Sequence, residues 1–123
     1  MARFFLAFVG LAYIGLAAWC AFSPLQTSAS VGFSLQRGSG QSEFLTVYGG
    51  LQFALGAFFL LPIVRPTELN RALFLCLWIH GCLVVFRTIS FCLFGEIPPM
   101  TFSLAAVEWI IFLGAALCVW KKR

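Results

Sequence analysis

Apolar residues run almost unbroken through four stretches, at about 4–22, 44–64, 72–94 and 100–120, and polar residues collect in the intervals between them. Each run is close to the ~20 residues a helix needs to cross a ~30 Å hydrocarbon core. None has the alternating period of barrel strands, and lipid offers an unpaired backbone amide no partner, so each run reads as a helix. The pattern predicts an all-α fold: an integral membrane four-helix bundle, forming a single transmembrane domain over 1–123.

Composition points the same way. The 123 residues are 62% hydrophobic and 10% charged, with 15 Phe, no Asp and a mean hydropathy of +1.00. A soluble domain of this size could not cover so much apolar surface. A cleaved signal peptide is an alternative reading of "MARFFLAFVGLAYIGLAAWCAF", with "TSAS" offering small residues downstream. Its apolar run is long for that role, so it is kept as the first helix. Trp19 occupies the position where a lipoprotein reading of Cys20 would want a small residue.

The intervals set topology. Arg3, Arg65, Arg71, Lys121, Lys122 and Arg123 fall on the side shared by both termini, against Arg37 alone on the other. That bias predicts cytoplasmic termini in a cell inner membrane. The net charge of +4 is then an orientation signal, and no nucleic-acid partner is needed to explain it. The one long interval, 23–43, lies outside. Pro24 closes the first helix, Gly38 to Gly40 form a flexible turn, and Val31, Phe33 and Leu35 either dip into the interface or form a lid over the bundle. In "RPTELN", Thr67 is the expected cap of the third helix. In "GEIPP", Gly95 is expected to end that helix and the two prolines to open the fourth.

Candidate chemistry comes from the few polar residues inside the runs. Arg87 lies roughly 10 Å in from the outer end of its helix and Glu108 roughly 12 Å in on the next one, at 1.5 Å per residue. A lone charge near the bilayer centre costs about 2.5–3.5 kcal/mol on insertion scales, so opposite charges at equal depth are expected to face inward and pair. The alternatives are a pair that only fixes helix register, and an Arg87 that snorkels to outer headgroups. On the second helix, Gly49, Gln52 and Gly56 share a face suited to close approach, with Glu43 at its mouth and Tyr48 within two or three turns. Glu43, Tyr48, Gln52, Arg87 and Glu108 are therefore grouped as a candidate polar pocket in the outer half.

His80 lies two turns deeper than Arg87 on nearly the same face. It reads as a satisfied structural histidine, with proton relay or ligand contact as alternatives. No second ligand with metal spacing accompanies it, so no metal and no cofactor is expected. The five cysteines, Cys20, Cys76, Cys82, Cys92 and Cys118, contain no CxxC and read as small buried residues, with a Cys20–Cys92 disulfide left open by their similar depth. No nucleophile with a base and no phosphate-cradling loop can be assembled, which argues against an enzyme.

A glutamate then "YGGLQFALG", followed by "FRTISFCLFGEIPP" and "VEWIIFLGAAL", resembles a bacterial family of small four-helix membrane proteins classed as a domain of unknown function. Size and helix count are also similar to the DoxX-like membrane proteins. The resemblance covers about residues 4 to 120. It implies an acidic residue before Tyr-Gly-Gly, matched by Glu43, Tyr48, Gly49 and Gly50, an arginine late in the third helix, matched by Arg87, and a glutamate in the fourth, matched by Glu108. Ser42 and Phe44 depart from the Asn or Arg expected around the acidic residue. The resemblance implies a fold and no activity.

The expected function is that of a non-enzymatic binding or accessory protein, whose partners are membrane lipids and either a small amphipathic ligand or a partner membrane protein, with a homo-oligomer left open. The alternatives are a small proton-coupled transporter acting as an oligomer through Glu108 and His80, and a membrane enzyme acting on a lipid or quinone.

Overall fold

The computed structural model describes residues 1–121; Lys122 and Arg123, counted above among the charges of the terminal side, lie outside the described residues. Among the described residues there is helix and no strand. The chain folds as α1 (Ala2–Phe22), a short α2 (Pro24–Ser30), α3 (Ser39–Phe44) running through a π-helical segment (Leu45–Leu51) into α4 (Gln52–Val64), a 3-10 turn (Pro66–Glu68), α5 (Leu69–Leu93) and α6 (Pro99–Trp120). Four helical stretches are long and apolar enough to cross a membrane: Ala2–Phe22, Ser39–Val64, Pro66–Leu93 and Pro99–Trp120.

These helices turn large apolar side chains outward as well as inward. Phe4, Phe8, Phe22, Phe86 and Ile110 are mostly exposed, an arrangement that suits a lipid surround and not water. The buried centre contains Leu6, Val9, Phe59, Leu73, Cys76, Ile111 and Ala115. Helix α1 packs most extensively on α4, and α5 on α6.

Small residues decide how close the first of these contacts is. A Cβ built on Gly56 would lie 2.8 Å from the carbonyl oxygen of Gly10, and one on Gly10 would lie 2.8 Å from that of Gly56. The two backbones therefore touch where neither residue has a side chain.

The long interval is shorter and more ordered than its composition suggests. Helix α3 begins at Ser39, so the last part of the 23–43 interval is already helical, and α2 occupies its beginning. In α2, Thr27 and Ser28 are buried. Their hydroxyls donate to backbone carbonyls one turn back, Thr27 to Ser23 O at 2.9 Å and Ser28 to Leu25 O at 3.1 Å. Ser30 does the same to Thr27 O at 2.7 Å. Each polar group satisfied internally leaves the segment free to lie on apolar neighbours. Phe33 then meets the rings of Phe44 and Tyr48 edge-on, at centroid distances of 6.4 and 5.9 Å.

Two expected helix boundaries are corrected. Thr67 makes no capping hydrogen bond, because it sits inside the 3-10 turn, and Glu68 takes the N-cap place of α5. Glu68 instead accepts from Arg71 Nη1 at 3.1 Å, one helical turn on. At the other end α5 stops at Leu93, Phe94 is extended, and the left-handed residue is Glu96 (φ 56), not Gly95. Pro98 holds Ile97 away from helical backbone, which moves the reversal onto the residue before it. Pro98 and Pro99 do open α6, as N-cap and first helical residue.

The π segment follows from local competition. The Thr46 hydroxyl donates to Ser42 O at 2.9 Å, one of the carbonyls an α-helical amide would use, and Gly49-Gly50 offer little resistance to a wider turn.

Candidate functional site

Arg87 comes from the late part of α5 and Glu108 from the middle of α6, and the tight turn between these helices sets them side by side. Arg87 Nε donates to Glu108 Oε2 at 3.0 Å and Nη2 donates to Oε1 at 2.6 Å, a two-point contact between planar groups. The side chains retain 27% and 14% of their accessible surface, so the contact is partly open on one side. What it opens onto is a cavity of about 280 Å³.

The cavity is bounded by four long helices and by the ordered interval. Tyr13, Trp19 and Cys20 come from α1, Thr27 and Ser30 from α2, and Tyr48 and Gln52 from the π segment and the start of α4. His80 and Arg87 come from α5, and Glu108 from α6. Leu16, Val31, Leu83, Met100, Leu104, Val107 and Ile111 supply apolar wall.

At its deep end His80 is almost wholly buried and has partners on both ring nitrogens. Nδ1 lies 2.8 Å from Cys76 O, and because a carbonyl only accepts, Nδ1 carries hydrogen. In the neutral ring Nε2 then accepts from the Tyr13 hydroxyl at 3.2 Å. The ring also meets Tyr13 edge-on at 5.7 Å and lies 6.4 Å from Phe59. The imidazole thus bridges α1 and α5 with its hydrogen-bonding capacity filled.

Tyr48 stacks on Phe44 at 4.6 Å, and its hydroxyl makes no hydrogen bond among the described residues. Gln52 is the other group without a partner: its Oε1 is buried and accepts nothing.

Residues 1–120 match the model of a domain of unknown function, DUF4345. The chain belongs to this family. No curated protein and no solved structure matches it.

Of the DUF4345 residues singled out from sequence, five line this one cavity: Tyr48, Gln52, His80, Arg87 and Glu108. Glu43 does not. It is exposed at the start of the second long helix while its neighbour Phe44 is buried. An α-helix turns about 100° per residue, so with Phe44 facing in, Glu43 is carried outward. All five cysteines are free; Cys20 faces the cavity and Cys92 is exposed, so the two present different faces and are not joined. No group of three or more His, Cys, Asp or Glu able to hold a metal lies among the described residues.

Tyr13 was missed. The signal was available: it is one of two tyrosines, placed mid-helix, and a hydroxyl at that depth in DUF4345 needs a partner. The contributions of Trp19, Thr27 and Ser30 depend on how the ordered interval folds back, which no periodicity encodes.

Proposed function

We propose that this DUF4345 protein is a non-enzymatic binding protein of a bacterial inner membrane, a single four-helix transmembrane bundle of DoxX-like design with both termini in the cytoplasm. Its cavity holds a small amphipathic molecule. The observation that carries the reading is the coincidence, in one space of about 280 Å³, of an apolar wall with the charged pair and two unpartnered polar side chains, Tyr48 and Gln52. The volume lies just below the ~300–1,000 Å³ typical of small-molecule sites, and a mostly apolar lining with a few convergent polar groups is their usual composition.

Binding is favoured over proton-coupled transport or acid–base catalysis by how the titratable groups are engaged. Both Glu108 oxygens are taken by Arg87, and both His80 nitrogens have partners. A general base must reach the proton it abstracts, and each of these groups would have to share or give up a partner to do so. The bias of Arg and Lys toward the terminal side supports the orientation.

The test is native mass spectrometry of the protein in lipid nanodiscs, comparing wild type with the cavity-filling variant Leu104→Trp and with Arg87→Leu. A small non-lipid molecule carried by wild type and missing from both variants is the expected result. Wild type that is empty after extraction from its own membrane would overturn the proposal.

A further inference from the structure

Resting on the binding role just described, the inventory of donors and acceptors around the cavity narrows its occupant. We propose that it is an uncharged amphiphile that presents carbonyl oxygen to the site, in the chemical class of quinones, ketones and esters.

The carboxylate and imidazole acceptors are engaged, and the Tyr48, Thr27 and Ser30 hydroxyls that also line the cavity can accept as well as donate. Glu108 accepts from Arg87 at both oxygens. His80 has no ring nitrogen to spare. Gln52 lines the cavity, but its Oε1 is buried out of contact with the open space.

The donors are open. A guanidinium carries five N–H groups, and Arg87 directs two hydrogen bonds to Glu108. Its remaining N–H groups belong to a side chain that lines the cavity. The amide nitrogen of Gln52 and the Tyr48 hydroxyl are donors without acceptors among the described residues. The Arg87 guanidinium and the Gln52 amide NH2 can only donate, so their unused N–H groups call for an acceptor from the occupant, whereas the Tyr48, Thr27 and Ser30 hydroxyls can turn either way; a molecule offering oxygen lone pairs fills that deficit.

Charge excludes the obvious competitors. Arg87 and Glu108 cancel, and no other Asp, Glu, Lys or Arg among the described residues borders the cavity. A carboxylate or phosphate would compete with Glu108 for the guanidinium in a weakly solvated place, and an ammonium would meet the Arg87 cation, neutral hydroxyl oxygens and a Glu108 already paired; both would leave buried charge uncompensated. The remaining wall, with Leu16, Leu83, Met100, Leu104, Val107 and Ile111, accepts the hydrocarbon part.

The experiment measures equilibrium binding to the full chain in nanodiscs for four probes: 1,4-naphthoquinone, octyl acetate, octanoate and octylamine. Both Tyr48→Phe and Gln52→Leu are used because each keeps size and leaves the ion pair alone. The expected result is that at least one of the two carbonyl probes binds more tightly than octanoate and octylamine, and that each substitution weakens it two- to tenfold, as loss of one neutral hydrogen bond does. Preference for naphthoquinone would assign the quinone class and preference for octyl acetate the ester class. Tightest binding of octanoate or octylamine, or carbonyl binding indifferent to both substitutions, would overturn the ligand class. A native occupant still released from wild type in that case leaves the binding role intact; an empty wild type that also ignores all four probes removes both.

Discussion

Removing one member of the Arg87–Glu108 pair should cost more than removing both. Arg87→Leu takes away two hydrogen bonds to a carboxylate that keeps only 14% of its surface, at 3.0 and 2.6 Å. Hydrogen bonds to charged groups contribute about 1.5–3 kcal/mol each, and breaking a buried pair costs about 3–5 kcal/mol because a charge is stranded. The 27% exposure of Arg87 places this pair near the lower end, so about 3 kcal/mol is expected for either Arg87→Leu or Glu108→Leu. The double variant strands nothing and should lie within about 1 kcal/mol of wild type. Reversal of the pair, Arg87→Glu with Glu108→Arg, should regain at least half of what either single change loses. Equilibrium unfolding in mixed dodecylmaltoside and SDS micelles, followed by tryptophan fluorescence, yields all four corners of the cycle. Single variants that each lose under about 1 kcal/mol, or a double variant that equals their sum to within about 0.5 kcal/mol, would show that the contact carries no coupling and would refute the reasoning.

The same assay checks the helix seam: Gly56→Ala should destabilise by about 1–3 kcal/mol because its Cβ would lie 2.8 Å from Gly10 O, whereas Gly15→Ala, with nothing within 4 Å, should be neutral or gain up to about 1 kcal/mol from helix propensity. Tyr13→Phe should cost about 1–3 kcal/mol by leaving buried His80 Nε2 without a donor, and Tyr13→Phe with His80→Leu should cost less than the two singles summed. At the α5–α6 turn, Glu96→Gly should raise stability by about 0.5–1 kcal/mol, since a non-glycine residue at φ 56 carries a penalty of roughly 1–2 kcal/mol that glycine's extra chain entropy only partly offsets; a loss on this substitution would show that the Glu96 side chain has a role of its own.

Four membrane-length helices were legible in sequence because apolar composition over ~20 residues is a sum over many positions and tolerates local error. The partnership of Arg87 with Glu108 was legible for a related reason: depth can be counted from helix ends, and an unpaired charge in lipid is expensive. Boundaries were less legible. Thr67 and Gly95 each have the right chemistry for a cap, but the neighbouring prolines determine which residue occupies the turn. Glu43 was placed at the mouth of the second helix and grouped with the pocket on its depth, and depth carries no information about the angle around the helix axis, which the burial of Phe44 decides. The roof of the cavity was the hardest part. Its hydroxyls look like loop composition, and only their hydrogen bonds to carbonyls within α2 show that Thr27 and Ser28 can be buried.

The π-helical stretch at Leu45–Leu51 acts as a phase shifter in the second long helix. A wider turn advances each residue through a smaller angle than the ~100° of an α-helix, so everything after Leu51 is rotated backward relative to an uninterrupted helix. That lag brings Gly56 onto the backbone of α1 while Gln52 still reaches the cavity. The stretch therefore couples sequence length to angular register: the lag summed over its seven residues is close to the ~100° that one α-helical residue adds, so deleting a single residue between Thr46 and Gly50 would let the segment relax to α-helix with both Phe44 and Gly56 near their present places. A chain shortened by one residue here would keep the Gly10 crossing without a compensating change, which makes this segment a point where the second long helix can absorb a change of length.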